Sequence, residues 1–152
     1  MQSAALFDLT GRTQIEITGN DRQTFLHNFC TNDVKSLAPG SVCEAFVTNI
    51  KGRVLGHVCV FAGETSLWLD TVPGQDDALT AHLDRYVITE DVQLTPRTDA
   101  LTVLMVSGPE SARVCAALDA DADGLQVRPA DWLGQPGFQC VVAREGAADV
   151  SD

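Results

Sequence analysis

Glu44 and His57 are the residues of this sequence whose types and spacing best suit chemistry at a site. A carboxylate beside an imidazole can exchange protons with a substrate or hold a polar ligand. Both lie within residues 44–61, which predict two β-strands rich in Val, Phe and Leu around an Asn-Ile-Lys-Gly turn. If Ile50 and Lys51 form a two-residue loop, counting outward pairs Glu44 directly with His57.

The face of this hairpin that carries Glu44 and His57 is called the mixed face. Because side chains alternate along a strand, its predicted members are Glu44, Phe46, Leu55, His57 and Phe61. The same count pairs Phe46 with Leu55, and it leaves an opposite face of small aliphatic residues that is typical of a core. Two interpretations of the mixed face stay open. It is either an ion pair at the edge of a core, stabilising by a few tenths of a kcal/mol, or the wall of a ligand pocket.

Two further motifs resemble metal sites, and both are explained better without a metal. The stretch from Asp119 to Gly124 resembles the start of a calcium loop, yet Ala130 occupies the position that requires a bidentate Glu. We interpret this stretch as an acidic, solvated turn. His27 and Cys30 lie three residues apart on a predicted helix, but two ligands do not make a zinc site. We therefore expect no metal.

The rest of the pattern predicts an α+β fold, with a largely antiparallel sheet and about three helices. The predicted strands lie at residues 5–9, 13–17, 42–62 (the hairpin), 66–71, 87–88, 92–94, 101–106, 125–127 and 138–142. The continuous apolar run at 101–106 indicates a central strand. The predicted helices lie at residues 21–30, 75–86 and about 108–118, the first with a capping box between Asn20 and Gln23. Residues 1–144 are assigned to one domain and residues 145–152 to an acidic, flexible tail.

Composition excludes several classes of function. Ten basic and 21 acidic residues give a net charge of −11, which repels nucleic acid. The five cysteines show no C-x-x-C spacing, which favours reduced thiols, and the predicted register sends Cys43 and Cys59 to opposite faces. No secretory signal and no apolar run of roughly 20 residues occurs. We expect a cytoplasmic protein that binds neither nucleic acid nor membrane.

Three stretches, taken in order, resemble one superfamily. They are Gly19-Asn20-Asp21 with Phe25-Leu26 and Thr31-Asn32-Asp33-Val34, the hairpin with Asn49 and Gly52, and Gly108-Pro109 before Ala112. They are similar to the N-terminal part of the glycine-cleavage T-protein (aminomethyltransferase) superfamily. That superfamily includes YgfZ-like folate-binding proteins that act in iron–sulfur protein maintenance. The resemblance extends over about residues 4–145.

The resemblance implies a tetrahydrofolate-binding fold in which the mixed face forms part of the pteridine or aminobenzoyl pocket. Aminomethyltransferases follow the hairpin glycines with an Asp-Asp pair, whose second carboxylate is catalytic. The matching positions here are Gly56 and His57. A neutral imidazole does not reproduce a fixed anion beside a developing positive charge. The resemblance therefore favours a YgfZ-like folate-binding module that is non-catalytic in this chain, with no catalytic residue assigned.

Two alternatives stay open. A divergent folate-dependent aminomethyl or methyl transferase would use Glu44 as the missing carboxylate, whereas a structural or interaction module would have lost the ligand. Members of the superfamily are more than twice as long as this chain. The implied partners are accordingly a small-molecule folate and either the remaining domains of the same polypeptide or iron–sulfur proteins.

Overall fold

The computed structural model describes residues 5–108, 126–130 and 137–143. The chain forms two compact units, a larger one from Arg12 to Thr98 and a smaller one made of the segments before and after it. Each unit is built on its own antiparallel sheet.

The larger unit contains five strands and two helices. In chain order these are β2 (Thr13–Thr18), α1 (Arg22–His27), β3 (Val42–Thr48), β4 (Val54–Ala62), β5 (Ser66–Thr71), α2 (Asp76–Asp84) and β6 (Gln93–Pro96). The strands are arranged in the order β3-β4-β5-β2-β6, so the predicted hairpin supplies one edge of the sheet. One hydrophobic core forms from alternate strand residues and the apolar sides of both helices.

The smaller unit contains four described strands. They are β1 (Ala5–Asp8), β7 (Leu101–Ser107), β8 (Gln126–Pro129) and β9 (Gly137–Ala143). A short 3-10 helix at Thr98–Ala100 begins at the last residue of the larger unit and precedes β7. Their order in the sheet is β1-β7-β9-β8, so β7 pairs on both sides. Both of its edges are paired, and Leu101, Val103 and Met105 are buried on one face. The prediction of a central strand over residues 101–106 is confirmed.

The predicted α+β class with a largely antiparallel sheet is confirmed. The described residues contain two α-helices, and the third predicted helix and the predicted tail at residues 145–152 lie outside them. Two local predictions are wrong. Residues 87–88 are not a strand, and α1 has no side-chain cap. Instead of closing a capping box, the Gln23 amide donates to the carbonyls of Val34 and Leu37.

No helix in the described part of the chain is both long enough and apolar enough to cross a membrane.

Gly19 directly follows β2, at a point where the backbone of the loop at Asp91 comes very close. It has φ +110°, and a Cβ at this position would lie 2.0 Å from the carbonyl oxygen of Asp91. The Asp91 carboxylate accepts from the Asn20 N–H at 2.9 Å, and the Asp21 carboxylate accepts from the Asp91 N–H at 2.8 Å. These reciprocal bonds hold the loop before β6 against the start of α1, and only glycine leaves room for them.

Replacing Gly19 with alanine should destabilise the larger unit by at least about 3 kcal/mol, because a left-handed backbone and a backbone collision add together. Gly74→Ala is the matched control, since Gly74 has φ +87° but open space around its Cβ position. The control should cost about 1–2 kcal/mol. Urea unfolding followed by circular dichroism measures both variants. Equal losses would show that the close approach to Asp91 is not limiting.

Candidate functional site

The turn of the hairpin is held by the side chain of Asn49. Its Oδ1 accepts hydrogen bonds from the backbone N–H groups of Lys51 at 2.9 Å and Arg53 at 3.0 Å. The Gly52 N–H donates to the Asn49 carbonyl at 2.9 Å, with Gly52 at φ +80°. The Asn49 N–H also donates to the Arg53 carbonyl at 2.9 Å, so these bonds close a loop of three residues, 50–52, one longer than the predicted loop. An Asx-type turn of this kind explains why Asn and Gly bound the segment.

The predicted register of the hairpin is wrong by two residues. Phe46 pairs with His57 and Glu44 with Cys59, in place of the predicted Phe46–Leu55 and Glu44–His57 pairs. The longer loop shifts the pairing by one residue, so that Thr48 pairs with Val54. A β-bulge next to Thr48 shifts it by one more. Because the total shift is even, each side chain from Gly56 onward stays on its predicted face, whereas Val54, which lies before the bulge, pairs with Thr48 and leaves the aliphatic face.

Glu44, Phe46 and His57 form a contact cluster on the mixed face. The Nε2 atom of His57 lies 2.9 Å from the Oε1 atom of Glu44, as a diagonal cross-strand contact. The rings of Phe46 and His57 meet edge to face, with centroids 5.2 Å apart. This group is called the Glu44–Phe46–His57 cluster below, and it brings together three of the five predicted site residues.

The cluster is exposed, and the other face of the same hairpin carries the core. The side chains of Glu44 and His57 are 66% and 49% exposed, and Phe46 is 44% exposed. The core face contributes fully or nearly fully buried residues, namely Ala45, Val47, Val58, Val60 and Ala62. An exposed aromatic ring beside a carboxylate–imidazole contact is available to a ligand, which a core residue is not.

The other two predicted site residues lie apart from the cluster. Leu55 is the residue that the bulge leaves unpaired, and it lines a groove beside α2. Phe61 pairs with Val42, four residues along β4 from His57 and therefore about 13 Å away. Only 9% of Phe61 is exposed. Roles for Leu55 and Phe61 in binding remain predictions.

A row of polar residues continues from Glu44 across the sheet. Strand pairing aligns Glu44 with Cys59, Asp70 and then Gln14, all on one face. Asp70 is 3% exposed, and its carboxylate accepts from the Gln14 amide and from Nε of Arg12 at 2.8 Å. A buried carboxylate needs such partners to remain charged. Beside Cys59, the mixed face therefore changes from an exposed cluster to a buried polar network.

The open edge of β3 is covered by the segment after α1. Thr31 exchanges hydrogen bonds with the Phe46 backbone, its N–H donating at 3.1 Å and its Oγ1 accepting at 3.0 Å. The Asn32 side chain donates to the Glu44 carbonyl at 2.8 Å, and Cys30 forms a bridge with Val47. Thr31 and Asn32 thus fix the backbone of two cluster residues. The strand pattern alone did not reveal this role, although both residues belong to the Thr-Asn-Asp-Val stretch.

The other residues that the sequence offers as metal ligands do not form a metal site among the described residues. Nδ1 of His27 accepts from the Lys35 N–H at 3.3 Å and lies 3.6 Å from Asp33. Burial, with a smaller contribution from Cys43, raises the pKa of Cys30 to about 12, so this thiol is protonated at neutral pH and is a poor metal ligand. Within residues 5–108, 126–130 and 137–143, no three His, Cys, Asp or Glu side chains converge to hold a metal. The Asp119–Gly124 motif lies outside the described residues.

Cys43 and Cys59 project to opposite faces of the hairpin, which confirms that prediction. Cys43 pairs with Val60 on the core face, and Cys59 pairs with Glu44 on the mixed face.

The chain is similar in sequence to known proteins. Residues 1–146 match the family described as the GCVT N-terminal domain. A probable aminomethyltransferase from Natronomonas pharaonis is 29% identical over 150 residues, covering 95% of this chain and 42% of that protein. The aminomethyltransferase of Bacillus subtilis is 26% identical over 148 residues, covering 95% of this chain and 40% of that protein. The chain thus spans about two fifths of the length of these relatives.

Solved structures share the fold. The crystal structure of glycine cleavage system aminomethyltransferase T from Bartonella henselae matches with a TM-score of 0.82 at 18% identity, covering 98% of this chain and 44% of that chain. A heterotetrameric sarcosine oxidase from Corynebacterium sp. U-96 matches with a TM-score of 0.58 at 15% identity, covering 95% of this chain and 78% of that chain. The predicted likeness to the N-terminal part of the T-protein fold is confirmed.

The Glu44–His57 contact should contribute little to stability, because solvent screens an exposed polar contact and holding two exposed side chains in one geometry costs conformational entropy. We expect Glu44→Gln and His57→Ala each to change the free energy of unfolding by less than about 1 kcal/mol. Val58→Ala, on the same strand but fully buried on the core face, should cost about 2 kcal/mol. Chemical denaturation compares the three variants. A loss at His57 as large as that at Val58 would make the pair a structural contact.

Proposed function

The chain belongs to the family of GCVT N-terminal domains, and from that premise we propose that its mixed face binds a reduced folate. In this proposal the chain is the N-terminal, folate-binding part of an aminomethyltransferase-type protein of the cytoplasm. The observation that carries the proposal is the exposed Glu44–Phe46–His57 cluster, with a 2.9 Å carboxylate–imidazole contact beside an accessible ring.

The cluster fits the chemistry of tetrahydrofolate. The exposed ring of Phe46 offers a face or edge to the aminobenzoyl or pteridine ring, and such contacts stabilise by about 0.5–1.5 kcal/mol. A reduced pteridine presents amino and ring N–H donors, which pair well with a carboxylate. Oε1 of Glu44 is engaged by His57, and its Oε2 has no hydrogen-bond partner among the described residues. Glu44 therefore keeps one oxygen for a ligand.

The cluster supplies one open wall of a pocket. Since the chain spans about two fifths of its aminomethyltransferase relatives, we propose that other walls come from further domains. Weak binding by this chain alone follows, because a ligand held on one side keeps most of its surface in water.

A second candidate function is transfer of an aminomethyl or methyl group that depends on folate. The matched relatives are aminomethyltransferases, which supports this alternative better than a YgfZ-like role in iron–sulfur protein maintenance. The specific observation is that Glu44 brings a carboxylate to His57, the position at which the family resemblance implies the catalytic acid. An anion fixed there would stabilise positive charge developing on the substrate.

The third alternative, a structural module that has lost its ligand, predicts that the polar pair is buried against the protein itself. Glu44 and His57 are instead 66% and 49% exposed at their side chains. This exposure favours a ligand-binding role over a purely structural one.

Calorimetry with tetrahydrofolate tests the binding proposal. The folded chain should bind with a dissociation constant on the order of millimolar, as expected for a ligand contacted on one side. Phe46→Ala and His57→Ala should each weaken binding about fivefold, because each removes one contact of the wall.

Val54→Ala is the matched control, since Val54 is 54% exposed on the same hairpin and lies outside the cluster. The control should bind as the parent chain does. The binding proposal fails if the folded chain gives no heat with tetrahydrofolate, or if Val54→Ala weakens binding as much as Phe46→Ala does.

Turnover separates binding from transfer. If Glu44 supplies the carboxylate, the chain should transfer an aminomethyl or methyl group to tetrahydrofolate from an added donor that carries that group, with release of the donor without it, and Glu44→Gln should lower the rate by about 100-fold or more. Binding of tetrahydrofolate without turnover, in the parent chain and in Glu44→Gln alike, would reject the transferase and leave the binding proposal intact.

A further inference from the structure

An open groove of about 340 Å³ lies between the hairpin turn and the end of α2. The turn and Leu55 form one side, and Arg85 and Tyr86 form the other. None of the three residues of the Glu44–Phe46–His57 cluster lines it. The groove therefore shares Leu55 with the mixed face but contains no residue of that cluster.

The groove gathers basic side chains that have no acidic partner. Arg12 and Arg97 pair with carboxylates in the larger unit. In the described part of the chain, four basic side chains make no hydrogen bond or ion pair, namely Lys35, Lys51, Arg53 and Arg85. Lys51 and Arg53 belong to the hairpin turn, and Arg85 directly follows α2. Of these three, Lys51 and Arg85 line the groove. In a protein with a net charge of −11, such a local excess of positive charge favours an anion.

The polar groups of the groove act mainly as donors. Oδ1 of Asn49 is used by the turn, which leaves its Nδ2 group as a donor without a partner among the described residues. Lys51 and Arg85 can only donate, and no carboxylate among the described residues lines the groove. A set of donors that includes two cations is complementary to anionic oxygen.

The negative partial charge at the C-terminal end of α2 does not cancel the preference of the groove for an anion. The C-terminus of a helix carries roughly half a negative charge, and the two side chains together carry two full positive charges. The backbone N–H groups of Arg85, Tyr86 and Val87 already occupy three carbonyls at this end of α2. The charge on the side chains that line the groove is therefore positive.

We infer that this groove binds a small organic anion with an apolar body. Its carboxylate or phosphate oxygens contact Lys51, Arg85 and the Asn49 amide. Its body lies against Leu55, Ile50 and the Tyr86 ring, since Ile50 is 76% exposed and Leu55 is 38% exposed on the same groove. This binding activity goes beyond the proposed folate site and does not depend on it.

Titration of the ¹⁵N-labelled chain with phenyl phosphate, and separately with phthalate, tests the inference. Both probes carry an aromatic body and up to two negative charges. Each should give saturable amide shifts centred on residues 49–55 and 82–86, with a dissociation constant on the order of millimolar. Tighter binding of phenyl phosphate assigns the natural ligand to the phosphates, and tighter binding of phthalate assigns it to the carboxylates. Both results support the inference.

Variants locate the binding. Lys51→Gln and Arg85→Gln should each weaken it by about threefold to tenfold, because each removes one charge-assisted contact. Lys35→Gln is the control, with the same change of charge on an exposed residue outside the groove, and it should stay within about twofold. The inference is overturned if no saturable shifts occur, if Lys35→Gln weakens binding as much as Lys51→Gln, or if neutral benzyl alcohol binds equally well. Tetrahydrofolate is absent throughout, so the result is independent of the folate proposal.

Discussion

Two compensating irregularities at the tip of the hairpin determine what each face of the sheet presents. The Asn49 side chain holds a loop one residue longer than a two-residue turn, and a bulge at Leu55 adds a second residue. Either one alone would reverse the faces of β4 relative to β3, because the side-chain period of a strand is two. With only one of the two irregularities present, Val58 and Val60 would face solvent and His57 would face the core. Together the two shifts cancel, so the core and the polar cluster remain on opposite faces.

The edge of the sheet sets the geometry of the cluster. β3 is an edge strand, and an uncovered edge would leave its backbone groups unpaired. Thr31 and Asn32 occupy that edge and bond to the backbone of Phe46 and Glu44. The exposed side chains therefore project from a fixed frame, which lowers the entropic cost of holding them toward a ligand. Stability comes from the opposite face, so the exposed cluster is free to serve binding.

Much of this arrangement can be predicted from the sequence. Alternation in residues 13–17 and the Val, Phe and Leu content of residues 44–61 identified strands, and counting along the hairpin placed Glu44, Phe46 and His57 on one face because faces depend only on parity. Pairing partners were harder to predict, since the Asn49 side chain lengthens the turn by one residue and Leu55 adds a bulge. The edge-covering role of Thr31 requires a contact across fifteen residues. The basic groove could not be predicted from the net charge, because Lys51 and Arg85 lie far apart in a chain that is acidic overall.

The exposed cluster of the hairpin is proposed to be a folate-binding wall. Intermolecular nuclear Overhauser effects between tetrahydrofolate and the chain test this proposal most directly, because they locate the ligand to within about 5 Å (the scale of ring contacts). We expect cross-peaks from the aminobenzoyl or pteridine protons to the rings of Phe46 and His57. Cross-peaks confined to other parts of the chain, or none at saturating ligand, would contradict it.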